Sequence, residues 1–367
     1  MKVEQLPGQS AGFSLIELML AMGLGLIVTY GIVQLFIGNS QTNALLTGQS
    51  RLQENARYAL EFISQSARTA GYFGCDPDAD KIYNTLNASW NQVFEFNITR
   101  PIEAFDYVGD GNSTAPGAWA PSIAPLPRMT GGGSINTFKD GTGIDLSEVV
   151  PGTDMVVFRR VEIPGYRTAD IVQPTANPVV EDNGEMDIAV DDFVVISNCE
   201  QAALFRVTGL TGGAGGTTLV RGTGAGLYDN AATETLSELG VPFGDAVSSQ
   251  GTVVGRVATD IYYIAQGAGT NNRDQRTLAL WRRSGTAAPV ELVEGVRDLQ
   301  IRFGIDNTPH DNIDAPNRYV DFDGLGSNDV VRAMRVEITA STVDVVTDSD
   351  QPVQRTFSTT ISLRNTG

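Results

Sequence analysis

Gly12-Phe13-Ser14-Leu15-Ile16-Glu17 opens an uncharged run in which residues 18–38 are nearly all apolar and the next charge after Glu17 is Arg51. Thr29, Tyr30 and Gln34 are the most polar side chains inside it. A helix rises about 1.5 Å per residue, so this run reaches across the ~30 Å hydrocarbon core of a bilayer. Glu17 lies near one end of the span. An acid in hydrocarbon is costly and implies a partner or a purpose. A secretory signal has a basic start and an apolar core of about 7–15 residues. Here the run is longer, it carries an acid, and its leader holds only Lys2 against Glu4. A plain single-pass anchor accounts for the run, but neither for Glu17 nor for the Gly12-Phe13 junction.

Residue by residue, Gly12 to Glu17 resembles the start of a type IV prepilin. The resemblance implies a short leader cut after Gly12 on the cytoplasmic side by prepilin peptidase, N-methylation of the new terminal Phe13, and an assembly role for Glu17, fifth in the mature chain. Elementary electrostatics agrees with it. The amine that cleavage creates on Phe13 stands i to i+4 from Glu17 on one helical face, and a staggered neighbour's amine reaches the same carboxylate. Opposite charges about 4 Å apart gain about 4 kcal/mol at an effective dielectric of 20, against about 2.5–3.5 kcal/mol to insert an acid at a helix centre. A paired Glu17 is tolerable there; an unpaired one is not.

With 43 acidic against 25 basic side chains, a net charge of −18 and a pI near 4.4, the chain lacks the basic face that nucleic acid requires. Almost all of that charge follows the span, so the bulk of the 367 residues lies on one side of the membrane. Lys2 and the initiator amine are the cytoplasmic cations, a weak form of the positive-inside pattern. Cys75 and Cys199 are the two cysteines. In an oxidising periplasm one bridge is their natural use, closing a loop of about 125 residues for up to ~4–5 kcal/mol in the chain-entropy model; two separate buried thiols are the alternative. Their spacing excludes a C-x-x-C redox or zinc site.

Beyond the membrane face, Leu45, Leu52, Ala56, Leu60, Ile63, Ala67 and Ala70 recur at helical spacing on an otherwise polar stretch. No proline falls between Gln9 and Cys75, and Gly71 suits a C-terminal cap. One helix is expected from about Phe13 to Ala70, with Gly38 and Gly48 as points where it bends or unwinds. Residues 76–150 carry Pro101, Pro116, Pro121, Pro125, Pro127 and Gly131-Gly132-Gly133, and read as irregular loops. From Asp154 onward strand signals dominate. Met155–Phe158 and Phe193–Ile196 are short buried runs. Leu299 to Ile305, Met334 to Ala340 and Phe357 to Leu363 alternate apolar with polar residues. Three one-faced strands make an antiparallel sheet that needs one apolar cover, and the helical stripe supplies it. The eight glycines from Gly209 to Gly226 read as a flexible hairpin loop, since no phosphate-loop or dinucleotide spacing accompanies them.

Arg51-Leu52-Gln53-Glu54-Asn55-Ala56-Arg57-Tyr58-Ala59-Leu60 and Ala70-Gly71-Tyr72-Phe73-Gly74-Cys75 resemble the PilW family of type IV pilus minor pilins. So do Asp192–Cys199 with Ala203–Thr208, Leu292–Val296, and Phe357–Asn365. The resemblance implies an α+β, pilin-like fold: a long N-terminal helix, half transmembrane and half amphipathic, packed on antiparallel sheet in a large β-rich domain. The divisions expected are 1–12 leader, 13–38 membrane half, 39–71 amphipathic half, 72–150 loop-rich region and 151–367 β-rich domain. It further implies a non-enzymatic subunit held in the inner membrane with its bulk in the periplasm, then carried to the cell surface near the pilus tip. The implied partners are other minor and major pilins, prepilin peptidase, the inner-membrane assembly platform and a tip adhesin. A type II secretion pseudopilin and a pilus-associated adhesin or ligand-binding subunit are the alternatives.

Little else suggests chemistry. His310, the one histidine, lies in a polar stretch without a Gly-x-Ser-x-Gly elbow, and one histidine with two distant cysteines does not make a zinc site. No cofactor is implied beyond a candidate calcium loop at Asp306, Asp311, Asp314, Asp321 and Asp323; Asp76-Pro77-Asp78-Ala79-Asp80 is a weaker one. Neither has the twelve-residue calcium pattern, and solvated turn acids are the simpler reading.

Overall fold

A computed structural model describes residues 14–74, 82–89, 94–107, 109, 119–121, 144–162, 165–182, 184–198, 200–213, 215–238, 240–244, 251–307, 315–321, 324–325, 330–346 and 351–363. One helix, α1 (Leu15–Thr69), runs unbroken for 55 residues. Ser14 caps it, its hydroxyl accepting from the Glu17 N–H at 3.2 Å. Ser14 and Glu17 are therefore spaced as a capping box, a reason for both residues that is purely local. At the other end Ala70 donates back to the Ser66 carbonyl, and Gly71 takes φ +76°, which favours glycine. Neither Gly38 nor Gly48 unwinds the helix. Gly48 instead allows close approach: a Cβ there would stand 3.2 Å from Thr342 Cγ2.

The strands follow as β1 (Ile82–Asn84), β2 (Ile102–Tyr107), β3 (Trp119–Pro121), β4 (Met155–Val161), β5 (Tyr166–Arg167), β6 (Val179–Val180), β7 (Phe193–Ser197), β8 (Ala202–Arg206), β9 (Gly209–Gly213) and β10 (Gly216–Val220). Then come β11 (Val253–Thr270), β12 (Arg276–Ser284), β13 (Val290–Glu294), β14 (Val296–Asp306), β15 (Arg318–Val320), β16 (Val330–Ser341) and β17 (Gln354–Ser362). The spine is β11, 18 residues long. Its first part pairs with β7, its middle with β4, and its second half with β12. The main sheet runs β1-β8-β7-β11-β4-β2-β3, with β5, β12 and β13 attached through β11. Among the described strands only β1 with β8 pairs in parallel, and an isolated parallel bridge joins Thr223 to Asn230. A small sheet β6-β10-β9 and a four-stranded sheet β15-β14-β16-β17 complete the fold.

The three alternating segments read from the sequence are β14, β16 and β17, and α1 packs on all three as well as on β13 and β4. Leu52, Ala56, Ala59, Ile63, Ala67 and Ala70 are each at most 2% exposed and join β14, β16 and β4 side chains in one core. The buried stripe is turned slightly from the expected one. Ala59 faces inward, while Leu60 and Leu45 are half-buried. Alanines bring the helix axis close to the sheet, and the larger Leu60 fits only at the margin of that contact. Leu52 and Ile63 are the large side chains of that stripe, and Ile63 is wholly buried. Ile63→Ala is expected to cost about 2–5 kcal/mol, read by urea unfolding of the full chain in detergent.

Two regions differ from expectation. Residues 76–150, read as irregular loops, contribute β1, β2 and β3 to the main sheet, and β2 pairs directly with β4 across residue 150. Buried charged residues disguise β2: in Ile102-Glu103-Ala104-Phe105 all four side chains are buried. The glycine-rich stretch is a hairpin whose arms are the paired strands β9 and β10. Gly216, at φ +124°, lies so close to the Val180 carbonyl that a Cβ would overlap it.

Candidate assembly interface

The first half of α1 stands clear of the domain. Leu15, Leu26, Leu35 and Phe36 are each more than 70% exposed, and Gly23, Gly25, Gly31 and Gly38 have no neighbouring atom within 4 Å that a Cβ would meet. Thr29 and Thr42 satisfy their hydroxyls on the carbonyls of Gly25 and Gly38, four residues back. That arrangement suits an apolar surround. The helix is long and apolar enough to cross a membrane. So large an apolar surface is stable only when lipid or another protein covers it. Glu17 is the lone acid on it, in the first helical turn, where the helix dipole favours a negative charge.

The second half is pinned by polar bonds as well as by packing. Asn55 Nδ2 donates to the Glu294 carbonyl at 3.1 Å. Ser66 Oγ lies 2.8 Å from the Tyr262 hydroxyl, which also donates to the Phe62 carbonyl at 3.3 Å. Burial pushes the Tyr262 phenol up. Asp260, 2% exposed, takes Arg160 Nη1 and Ser284 Oγ at 2.5 Å each, and Ser66 Oγ at 3.4 Å. Beside this anchor is a cleft of about 640 Å³ between the helix end and β4, β5 and β11. Two of its arginines are engaged by acids: Arg160 by Asp260, and Arg256 by Glu162 at 2.8 Å.

The helix then hands over to the sheet. Gly71 N–H donates to the Arg159 carbonyl at 2.9 Å, and Val161 N–H to the Tyr72 carbonyl at 2.7 Å. Arg159 has no exposed surface. Its guanidinium reaches the Phe94 carbonyl at 2.9 Å, the Arg100 carbonyl at 2.7 Å and Glu103 Oε2 at 3.0 Å, and lies 4.6 Å from the centre of the Phe94 ring. Glu103, 2% exposed, binds Arg100 through its other oxygen at 2.7 Å. Burial lowers the Arg159 pKa and Glu103 opposes it. Nothing in the sequence marks this cluster, because its partners lie 56 to 65 residues apart.

Among the expected site residues, Gly12, Phe13, Cys75 and Cys199 lie outside the described residues, as do Asp311, Asp314, Asp323, the weaker acid run at 76–80 and His310. The neighbours of the two cysteines are in contact: a Cβ on Gly74, at φ +122°, would overlap the Ser197 hydroxyl. Asp306, 1% exposed, has an Oδ2 4.0 Å from Arg332, and Asp321 takes Arg302 at 2.7 Å. Among the described residues no group of three or more His, Cys, Asp or Glu side chains is placed to hold a metal.

No curated protein and no solved structure matches the chain. Over the second half of β11 and all of β12 to β17, the part of the domain that includes the sheet under α1, residues 261–364 match the model of the PilW family, Type IV Pilus-assembly protein W.

Proposed function

We propose that this chain is a structural, non-enzymatic minor pilin of the type IV pilus. Prepilin peptidase cuts it after Gly12, Phe13 is methylated, and α1 holds it in the inner membrane with its bulk in the periplasm. There it joins other minor and major pilins to start a fibre at whose tip it remains. The observation that carries this reading is the division of α1 into a bare apolar half and a half seated on the sheet matched by the PilW model. An apolar helix projecting from an acidic domain passes from lipid into a bundle of like helices without ever meeting water. The contact of Gly74 with Ser197 supports a Cys75–Cys199 bridge as a further brace where the helix meets the sheet.

Intact-mass analysis of the membrane-extracted protein tests the reading. The expected mass is that of a chain beginning at methylated Phe13, with neither thiol alkylated until reductant is added. An unprocessed Met1 in cells that make pili overturns it.

A further inference from the structure

Asp154 is the residue before β4, and its carboxyl sits where the main sheet meets the sheet under α1. The β2–β4 ladder pairs Ile102 with Phe158, Glu103 with Val157, Ala104 with Val156 and Phe105 with Met155. One step further along the same register, Asp106 faces Asp154. Like charges directly opposite in a ladder destabilise it. Asp154 is 2% exposed, and it also holds β14: its N–H donates to the Leu299 carbonyl at 2.9 Å, and its Oδ2 accepts from the Ile301 N–H at 2.8 Å. Its Oδ1 is buried without a hydrogen-bond partner among the described residues. Asp106 is half-buried and opens the pair to solvent.

No described cation neutralises the two acids. On β14 the charged neighbour is Arg302, whose Nε is already on Asp321 at 2.7 Å, and Asp298 on that strand accepts from the Gln300 amide at 3.0 Å. Arg100 and Arg159, near β2, are held by Glu103. We propose that Asp154 and Asp106 share one proton, donated from Asp154 to the Asp106 carboxylate, and that this proton clasps the end of β2 to the start of β4, at the seam with β14, and lets go in alkaline solution. Burial pushes the Asp154 carboxyl up to about 8; the Asp106 charge adds to the rise, and the Ile301 amide opposes it. A folded-state value raised above the unfolded one means the folded chain binds the extra proton. The clasp therefore contributes fully below about pH 4 and is lost as pH rises through about 8.

The test compares melting temperatures of the full chain in detergent from pH 5 to 9.5, with EDTA present. In Asp154→Asn the amide accepts from Ile301 and donates to Asp106 at every pH, a permanent mimic of the protonated acid. The variant is expected to melt increasingly above wild type as pH rises, by roughly 5 °C at pH 9. Asp106→Asn, which removes the repulsion at a half-exposed position, should move the wild-type transition to lower pH. Parallel pH profiles for wild type and Asp154→Asn overturn the proposal. So does full recovery of the alkaline loss by calcium in wild type but not in Asp106→Asn, which would make the pair a cation site.

Discussion

Glu103→Ala is expected to lower the melting temperature of the full chain by about 6–12 °C, on the basis of a loss of about 3–5 kcal/mol for breaking a buried ion pair. Glu103 is ion-paired with two buried cations, Arg100 at 2.7 Å and Arg159 at 3.0 Å. Removing it leaves Arg159 wholly buried with two carbonyl acceptors, one aromatic face and the weaker influence of the Glu95 charge. Arg159→Met should cost less, because the volume is kept and Glu103 retains Arg100. The order of the two variants is what separates a charge effect from a packing effect. A packing role alone predicts the larger loss from Arg159→Met. The consequence reaches α1, since the Arg159 carbonyl receives the Gly71 N–H just past the helix end. Exchange of the Gly71 amide in Glu103→Ala should therefore quicken before the chain melts. Thermal scans with and without hydrogen exchange check both points.

The parts of the fold visible in the sequence are those where one period persists. The unbroken apolar span of α1 and the helical spacing of its stripe from Leu45 to Ala70 mark one long helix, so the expected Phe13 to Ala70 and the observed Leu15–Thr69 differ by only two residues and one at the ends. The strands β14, β16 and β17 alternate because one face of their sheet is buried by the helix and the other is wet. The stripe was legible in direction but not in fine rotation. Choosing Ala59 over Leu60 requires knowing how closely the axis approaches the sheet, and that is set by residues on β16 and β17. The strand β2 was hidden because Glu103 is buried against Arg159, 56 residues further along the chain, as well as against the nearby Arg100. The arms of β9 and β10 were hidden because Gly209, Gly212, Gly213 and Gly216 have poor strand propensity and are held by pairing alone.

The candidate site divides in the same way. Glu17 stands out in any reading because it is a charge in an apolar run. Its partner in the local structure, the Ser14 cap, carries a recognisable four-residue spacing that was open to view. By contrast, Asp154 answers to Asp106 and Ile301, and Asp260 to Ser66, Arg160 and Ser284. Each of those groupings exists only after distant strands have paired. Acidic residues in a chain of net charge −18 give no hint of which few are buried.

Glu17→Val is expected to leave the chain inserted, processed and folded, yet to reduce its recovery in sheared pili well over tenfold relative to its level in membranes. Glu17 touches nothing in the domain, so the substitution leaves the sheet-seated half of α1 untouched. Valine even favours the lipid-embedded state. On the proposed function, it removes the partner for the amine that cleavage creates on Phe13 as the helix leaves lipid for a helical bundle, where an unpaired cation is costly. The capping geometry offers a competing explanation, since Ser14 and Glu17 also stabilise the first turn of the helix. Glu17→Gln separates the two. Glutamine serves at the third position of a capping box but carries no charge. If charge pairing sets subunit register, Gln fails in assembly nearly as completely as Val. If the cap is what matters, Gln assembles like wild type and Val does not. Immunoblots of sheared fibres against membrane fractions read all three outcomes, and normal incorporation of the Val variant would remove Glu17 from the assembly mechanism altogether.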